Sequence, residues 1–224
     1  VYKRQMYYRP KIFFPKTSYS TFGEDLFISK FFKNKKKGFY VDVGCYHPIV
    51  GSNTQILFKK KWNGINVDVS PLSVELFKKA RPKDININLA VSDKKGVLKL
   101  YFRKQINMLN TTNKDIAKKH FKNGFKVKKI KSDTLNSIID KSNYKNRKID
   151  FLNLDVEGNE LNVLKSLNFK KYVPTLICVE IHNQEEMYNR NKQYLQKNKV
   201  YKFLTKKNYK IIWNKDFSFI LKKK

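Results

Sequence analysis

The chain has 224 residues, 41% of them hydrophobic and 17 of them phenylalanine, enough apolar matter for one substantial core. No run of 18 apolar residues occurs, so no transmembrane helix is indicated, and no apolar stretch follows Val1-Tyr2-Lys3-Arg4 to form a signal peptide. The formal charge of +31 raises nucleic acid as a partner, yet only six of the 49 basic residues are arginine, the side chain suited to bidentate phosphate and base contacts. Lysine is spread along the whole chain, which favours a solvated surface over one nucleic-acid groove. Peripheral attraction to an acidic membrane surface or an anionic glycan stays open. Cys45 and Cys178 make no disulfide framework, and the chain reads as cytoplasmic. It starts at Val1 rather than at a methionine, which suggests a fragment.

Residues 1–18 mix Arg, Lys, Pro and aromatics without period and are expected to form an arm ahead of a single domain over 19–224. A helix signal begins at Ser20 or Thr21, with Glu24 and Asp25 in its first turn and an apolar stripe of Phe22, Leu26, Phe27 and Phe31.

The stretch from Gly38 to Asp68 carries the first chemistry. Phe39 to Val43 is a short β-rich run stopping at Gly44, and Ile65 to Val69 is a second leading into Ser70-Pro71. Between them Ser52 or Asn53 can cap a helix with Ile56 and Leu57 on its inner face, so the stretch reads as a parallel βαβ unit. Such sheets bind ligands at the carboxyl ends of their strands. Gly44 has no Cβ, so its backbone can approach a ligand or take a turn closed to other residues. Asp68, with Val69 beside it, ends the second strand, where a carboxylate can accept from ribose hydroxyls. Tyr46 breaks the G-x-G-x-x-G pattern and no phosphate loop occurs, so a pyrophosphate has a poor cradle. An adenosine without phosphates fits better and points to S-adenosylmethionine, held by Asp42, Gly44, Ser52, Asn53, Asp68 and Val69. A nicotinamide dehydrogenase is disfavoured by Tyr46.

Further along, Pro71 opens a helix through Val74, Leu76, Phe77 and Ala80. Ile85 to Val91 reads as a third strand, and Val97 to Phe102 as an edge strand. Asn107 to Asn123 is a polar excursion with Thr111, Thr112 and Asn113 as a cap, a segment of the kind that shapes an acceptor pocket; His120 within it reads as a surface residue. Phe125 to Ile130 alternates like a strand, and Ser132-Asp133 is placed as cap of the helix bearing Leu135, Ile138 and Ile139.

The second chemical stretch is Ile149 to Glu160, an apolar strand ending at Asp155 followed by a helix with Leu161, Leu164 and Leu167 inward. Glu157 and Glu160 suit the helix start, and for Glu160 capping is the favoured role. Thr175 to Ile181 is another buried strand leading to Glu180 and His182, two residues apart and so on one face. An imidazole there is suited to accepting a proton near neutrality. Helical segments follow from Gln184 to Lys207, then a terminal antiparallel hairpin of Lys210 to Trp213 and Phe217 to Leu221.

Asp42-Val43-Gly44 before Ser52-Asn53-Thr54, the Trp62-Asn63-Gly64-Ile65 step, Asp68 before Ser70-Pro71, and Asp155-Val156-Glu157-Gly158-Asn159-Glu160-Leu161 together resemble the FkbM-type methyltransferases, from about Tyr19 to the C-terminus. Asp68 stands where that family more often has Glu, and Cys45-Tyr46-His47-Pro48 departs from its usual loop. The resemblance implies an α/β class I methyltransferase Rossmann-like fold, a mostly parallel sheet with a C-terminal antiparallel hairpin and helices on both faces. It implies S-adenosylmethionine as cofactor, O-methylation of a sugar, glycan or other small-molecule acceptor, Ala90, Val91 and Ser92 around the adenine, and Tyr19 to Asp25 as a cover for the pocket. His182 is the first candidate for the base that takes the acceptor's proton and Asp155 the second. Asp155, Glu157 and Glu180 could instead hold Mg²⁺, but no ligand spacing is specific enough to assign a metal. The alternatives are an RNA methyltransferase using the basic surface and a non-catalytic binding module of the same fold. Oligomeric state is not legible.

Overall fold

The computed structural model describes residues 18–181 and 193–224. Residues 1–17 of the expected arm, His182 and the start of the helical segment after it lie outside the described residues.

Apolar β-rich runs alternate with helices, and the strands assemble into a seven-stranded sheet. The elements in order are α1 (Glu24–Phe31), β1 (Phe39–Val43), α2 (Gln55–Lys59), β2 (Asn63–Asp68), α3 (Pro71–Ala80), β3 (Ile85–Asn88), β4 (Ala90–Val91), β5 (Gly96–Phe102), α4 (Lys114–His120), β6 (Lys126–Asp133), α5 (Leu135–Asp140), β7 (Phe151–Leu154), α6 (Glu160–Lys165), β8 (Leu176–Glu180), α7 (Gln193–Lys197), α8 (Lys199–Lys206), β9 (Tyr209–Lys215) and β10 (Ser218–Lys223). The strand order is β3-β2-β1-β7-β8-β10-β9, parallel through β8, with β10 antiparallel to both β8 and β9. The expected hairpin is present. The order reverses beside β1, so the carboxyl ends of β1 and β7 open a crevice between them.

Alternation along the strands divides the core. Phe39, Val41 and Val43 of β1 face α5, α6 and α8 through Ile138, Leu164 and Leu204, while Tyr40 faces α1 and α2 through Ile28 and Leu57. Helices therefore cover both faces. No helix among the described residues is long and apolar enough to cross a membrane.

Several local expectations are corrected. Ile85 to Val91 is not one strand: the chain leaves the large sheet at Leu89, and β4 joins a separate sheet of order β4-β6-β5 by pairing with Ser132 and Asp133. Val97 to Phe102 is an edge, but of this small sheet. Ser132 and Asp133 therefore lie in β6, and the cap of α5 is Thr134, whose hydroxyl accepts from the Ser137 N–H. In α1, Leu26 is 42% exposed and Ile28 takes the buried position, because the helix begins only after Gly23 turns the chain at φ 93°. In α6, Val163 and Leu164 are the buried apolar pair and Leu161 is only partly covered. Asn113 does cap α4, accepting from the N–H groups of Asp115 and Ile116.

Candidate active site

A cleft runs along the carboxyl ends of β1, β2, β7 and β8, roofed by the loop after β5. Its inner compartment, about 60 Å³, is lined by Asp42, Gly44, Ser52, Asn53, Asp68, Val69, Ala90, Val91 and Asp155. Of the residues expected at the cofactor, Ser92 alone lies outside that lining; its N–H donates to the Asp133 carbonyl and its hydroxyl to Asp93. An outer compartment of about 870 Å³ adjoins it, with Asp155, Glu157, Glu180, Phe22, Tyr46 and Phe217 among its walls. Tyr46, Gly51, Asn53, Asn107, Met108, Asn153 and Asp155 border both.

Gly44 has φ +79°, and a Cβ built on it would lie 1.7 Å from the Asp155 carbonyl oxygen. The glycine thus serves the close approach of the β1 and β7 ends to each other as well as the turn. Tyr46, which displaces a glycine from the usual loop pattern, takes φ 54°, a left-handed conformation costly for a bulky side chain. Its N–H donates to Asp68 Oδ2 at 2.8 Å, while the Ser70 N–H donates to Asp68 Oδ1 at 2.7 Å. Burial raises the Asp68 pKa to about 6, against the lowering effect of those two N–H groups and with a further rise from Asp42. The two oxygens keep lone pairs for further donors.

Asp42 is more enclosed. The Thr54 hydroxyl donates to its Oδ2 at 2.6 Å and the Asn153 amide to its Oδ1 at 2.9 Å, while Asn53 donates to Asn153 Oδ1 at 2.9 Å. Burial still holds its pKa above the usual carboxylate value. This explains why neither Ser52 nor Asn53 caps α2: Thr54 occupies the cap position and directs its hydroxyl to Asp42 instead. Behind Thr54 lies Arg81, fully buried, donating to Thr54 Oγ1 at 2.8 Å, the Pro48 carbonyl at 2.6 Å, Ser52 Oγ at 3.0 Å and Gln55 Oε1 at 3.1 Å. Its guanidinium stacks over Phe77 and Phe58 and reaches Tyr40, whose hydroxyl donates to Asp84.

Sequence reasoning missed Arg81, Thr54, Asn153 and Asp84. One signal was available: Arg81 is one of only six arginines among 49 basic residues, and an arginine in so lysine-rich a chain points to a position needing several fixed donors.

At the other end of the cleft, Asp155, Glu157 and Glu180 bring carboxylate oxygens within 4.8 Å of one another. That spacing would admit a divalent cation; shared protons relieve the same repulsion. The Asp155 pKa is raised well above the carboxylate range, first by burial, then by the negative charges of Glu180, Glu157 and Glu160. Glu157 has φ 53°, and its carbonyl accepts from the Thr111 hydroxyl at 2.7 Å. His120 of α4, read as a surface residue, instead lines the outer compartment with Nδ1 3.7 Å from Glu157 Oε2. Glu160 turns back on its own loop, accepting from the N–H groups of Val156 and Gly158 ahead of α6, while Asn159 holds the cap position with no side-chain cap bond.

Charge is segregated. Among the described residues no lysine or arginine lines the inner compartment, and only Arg103 and Lys104 line the outer one. The cleft is an acidic hollow in a chain of formal charge +31.

A family model described as a methyltransferase FkbM domain matches residues 42–211. No curated protein matches the chain.

Proposed function

The chain belongs to the FkbM methyltransferase family, and from that premise we propose that it moves the methyl group of S-adenosylmethionine to a hydroxyl of a sugar, glycan or other small-molecule acceptor. The observation that carries this reading is a crevice at the carboxyl ends of parallel strands that holds Asp42, Asp68 and Asp155 and, among the described residues, no lysine or arginine. Such a lining suits a cationic cofactor without phosphates and repels a dinucleotide. The strand order, with its reversed β10, supports a class I arrangement.

In this reading Asp68 holds the ribose hydroxyls, and Val69, Ala90 and Val91 supply the apolar wall for the base. Small-molecule sites run upward from roughly 300 Å³. The inner compartment is smaller, so the cofactor would span into the outer one past Asn53, Asn153 and Asp155.

When bound, S-adenosylmethionine supplies an electrophilic methyl group. The chain's own part is to hold the acceptor oxygen in line, keep water out and take the hydroxyl proton. Asp155 and Glu180 face the outer compartment, and Asp155, whose affinity for protons is raised by burial and the neighbouring carboxylates, is the stronger base of the ionised carboxylates there. His182, the first candidate, lies outside the described residues and follows the end of β8. Two buried free cysteines support a reducing compartment such as the cytoplasm.

Calorimetric titration with S-adenosylmethionine and methyl-³H transfer to a panel of hydroxyl compounds test the reading. Saturable binding with transfer to a hydroxyl is expected. Absence of binding overturns it, and binding without transfer to any acceptor returns the chain to a non-catalytic module.

A further inference from the structure

Eight large hydrophobic side chains are exposed among the described residues, and four of them sit on two loops at the mouth of the cleft: Ile49 and Val50 at 43% and 47%, Met108 and Leu109 at 46% and 37%. The two loops meet. A methyl group built on Gly51 would lie 3.9 Å from Met108 Cε, and Gly51 and Met108 border both compartments.

Neither tip is exposed for want of anchoring. The N–H groups of Ile49 and Val50 both donate to His47 Nδ1, at 3.1 and 3.0 Å, and the Pro48 carbonyl beneath them is held by buried Arg81. On the other loop Asn110 donates to the Lys104 and Gln105 carbonyls, the Leu109 N–H donates to Asn107, and Tyr101 pairs with Thr111 on both sides of their bridge. Each loop is therefore closed on itself and presents an apolar pair to solvent in a fixed conformation. Neighbouring exposed apolar side chains of this kind, rimmed by polar residues, mark a contact surface.

The charges beside the tips say what covers it. Arg103 and Lys104, both exposed, stand on the same rim, while the carboxylates lie inside the cleft. A second copy of this chain would bring like charge to like charge at +31 apiece. A nucleic acid would leave four aliphatic side chains without a partner. An anionic lipid bilayer matches both features, cations at the headgroups and aliphatic tips below them.

We propose that the mouth of the cleft docks on an anionic membrane surface, so that the hydroxyl acceptor is a membrane-anchored molecule whose polar end enters the outer compartment. The acceptor part of this rests on the methyl-transfer reading; the docking part does not.

The test uses the whole chain with phosphatidylcholine vesicles containing phosphatidylglycerol, read by co-sedimentation, and compares Ile49→Ser/Val50→Ser with Leu26→Ser/Leu72→Ser, which removes two exposed aliphatic residues elsewhere. Ile49 and Val50 line neither compartment, so the first variant should bind S-adenosylhomocysteine as the unaltered chain does. Its vesicle partitioning should fall at least about tenfold, with the control variant unchanged. Leu109→Ser should weaken partitioning in the same direction. Equal partitioning of the two double variants, or no binding by the unaltered chain, overturns the proposal and leaves only the lysine shell. Vesicle binding without S-adenosylhomocysteine binding keeps the docking surface and removes the methyl-transfer reading.

Discussion

Asp68 shows how one side chain can oppose stability and serve binding. Its folded-state pKa of about 6 lies above the ordinary 3.8, because burial strips water from the carboxylate more than two N–H donors replace it. The folded chain therefore takes up a proton between those values that the unfolded chain does not. The penalty is complete above pH 6, ~3 kcal/mol by linkage, and disappears below pH 4. Asp42 and Asp155 shift in the same direction. The melting temperature should accordingly rise as pH falls from about 7.5 to about 5.5. Ribose hydroxyls want the ionised form, so affinity for S-adenosylhomocysteine should increase with pH through about 6 and then level off. Calorimetry across that range checks it, and a flat profile removes Asp68 from the ribose. Gly44 gives the complementary case. Gly44→Ala places a methyl against the Asp155 carbonyl in left-handed backbone, which should cost about 2–5 kcal/mol in a denaturant titration. A cost under about 1 kcal/mol would mean that β1 and β7 can part there.

Among the elements, what the sequence disclosed depended on whether a signal was local. β1, β7 and β8 are bounded apolar runs, α3 announces itself by Ser70-Pro71, and the end hairpin shows as two short apolar runs flanking Asn214 to Asp216, so each was legible. The switch of sheets at Leu89 was not. The apolar run Leu89 to Val91 follows Ile85 to Asn88 with no turn residue between them, and only a partner more than 40 residues away, Ser132 and Asp133, decides where the large sheet ends. Caps were misplaced for a related reason: Ser52, Asn53 and Thr54 all can cap, and the one that takes the cap position, Thr54, has its hydroxyl claimed by the buried Asp42. The same holds for the site. Asp68 and Asp155 end recognisable strands, whereas Arg81 works by joining α3 to the loop from Pro48 to Gln55, a tertiary fact. Arg81→Lys keeps the charge but offers one nitrogen where two now serve five acceptors. We expect a loss of about 3–5 kcal/mol in denaturant unfolding, against about 1–3 for Thr54→Val. Equal stability of the lysine variant would show that the loop does not depend on the guanidinium fork.

On the scale of the whole molecule, the lysine shell and the acidic cleft make separable predictions. A surface dense in lysine binds polyphosphate by releasing counterions, whatever the sequence, and such binding weakens steeply as salt rises. The chain should therefore retain single-stranded RNA on a filter at about 50 mM salt and lose most of it by about 200 mM. A methylation groove requires more than that: cations that lead the phosphates to the reacting atom. Here the described lining offers only Arg103 and Lys104 at the rim, and Asp155, Glu157 and Glu180 further in would repel a backbone approaching the cleft. RNA should thus accept no methyl group and leave S-adenosylhomocysteine affinity unchanged at either salt concentration. Competition calorimetry and a tritium assay on the same RNA decide it. Methyl incorporation into RNA that follows its salt-dependent binding would reverse the reading, because the shell would then be a substrate groove and the acidic hollow a place where the base, unlike its phosphate, is admitted.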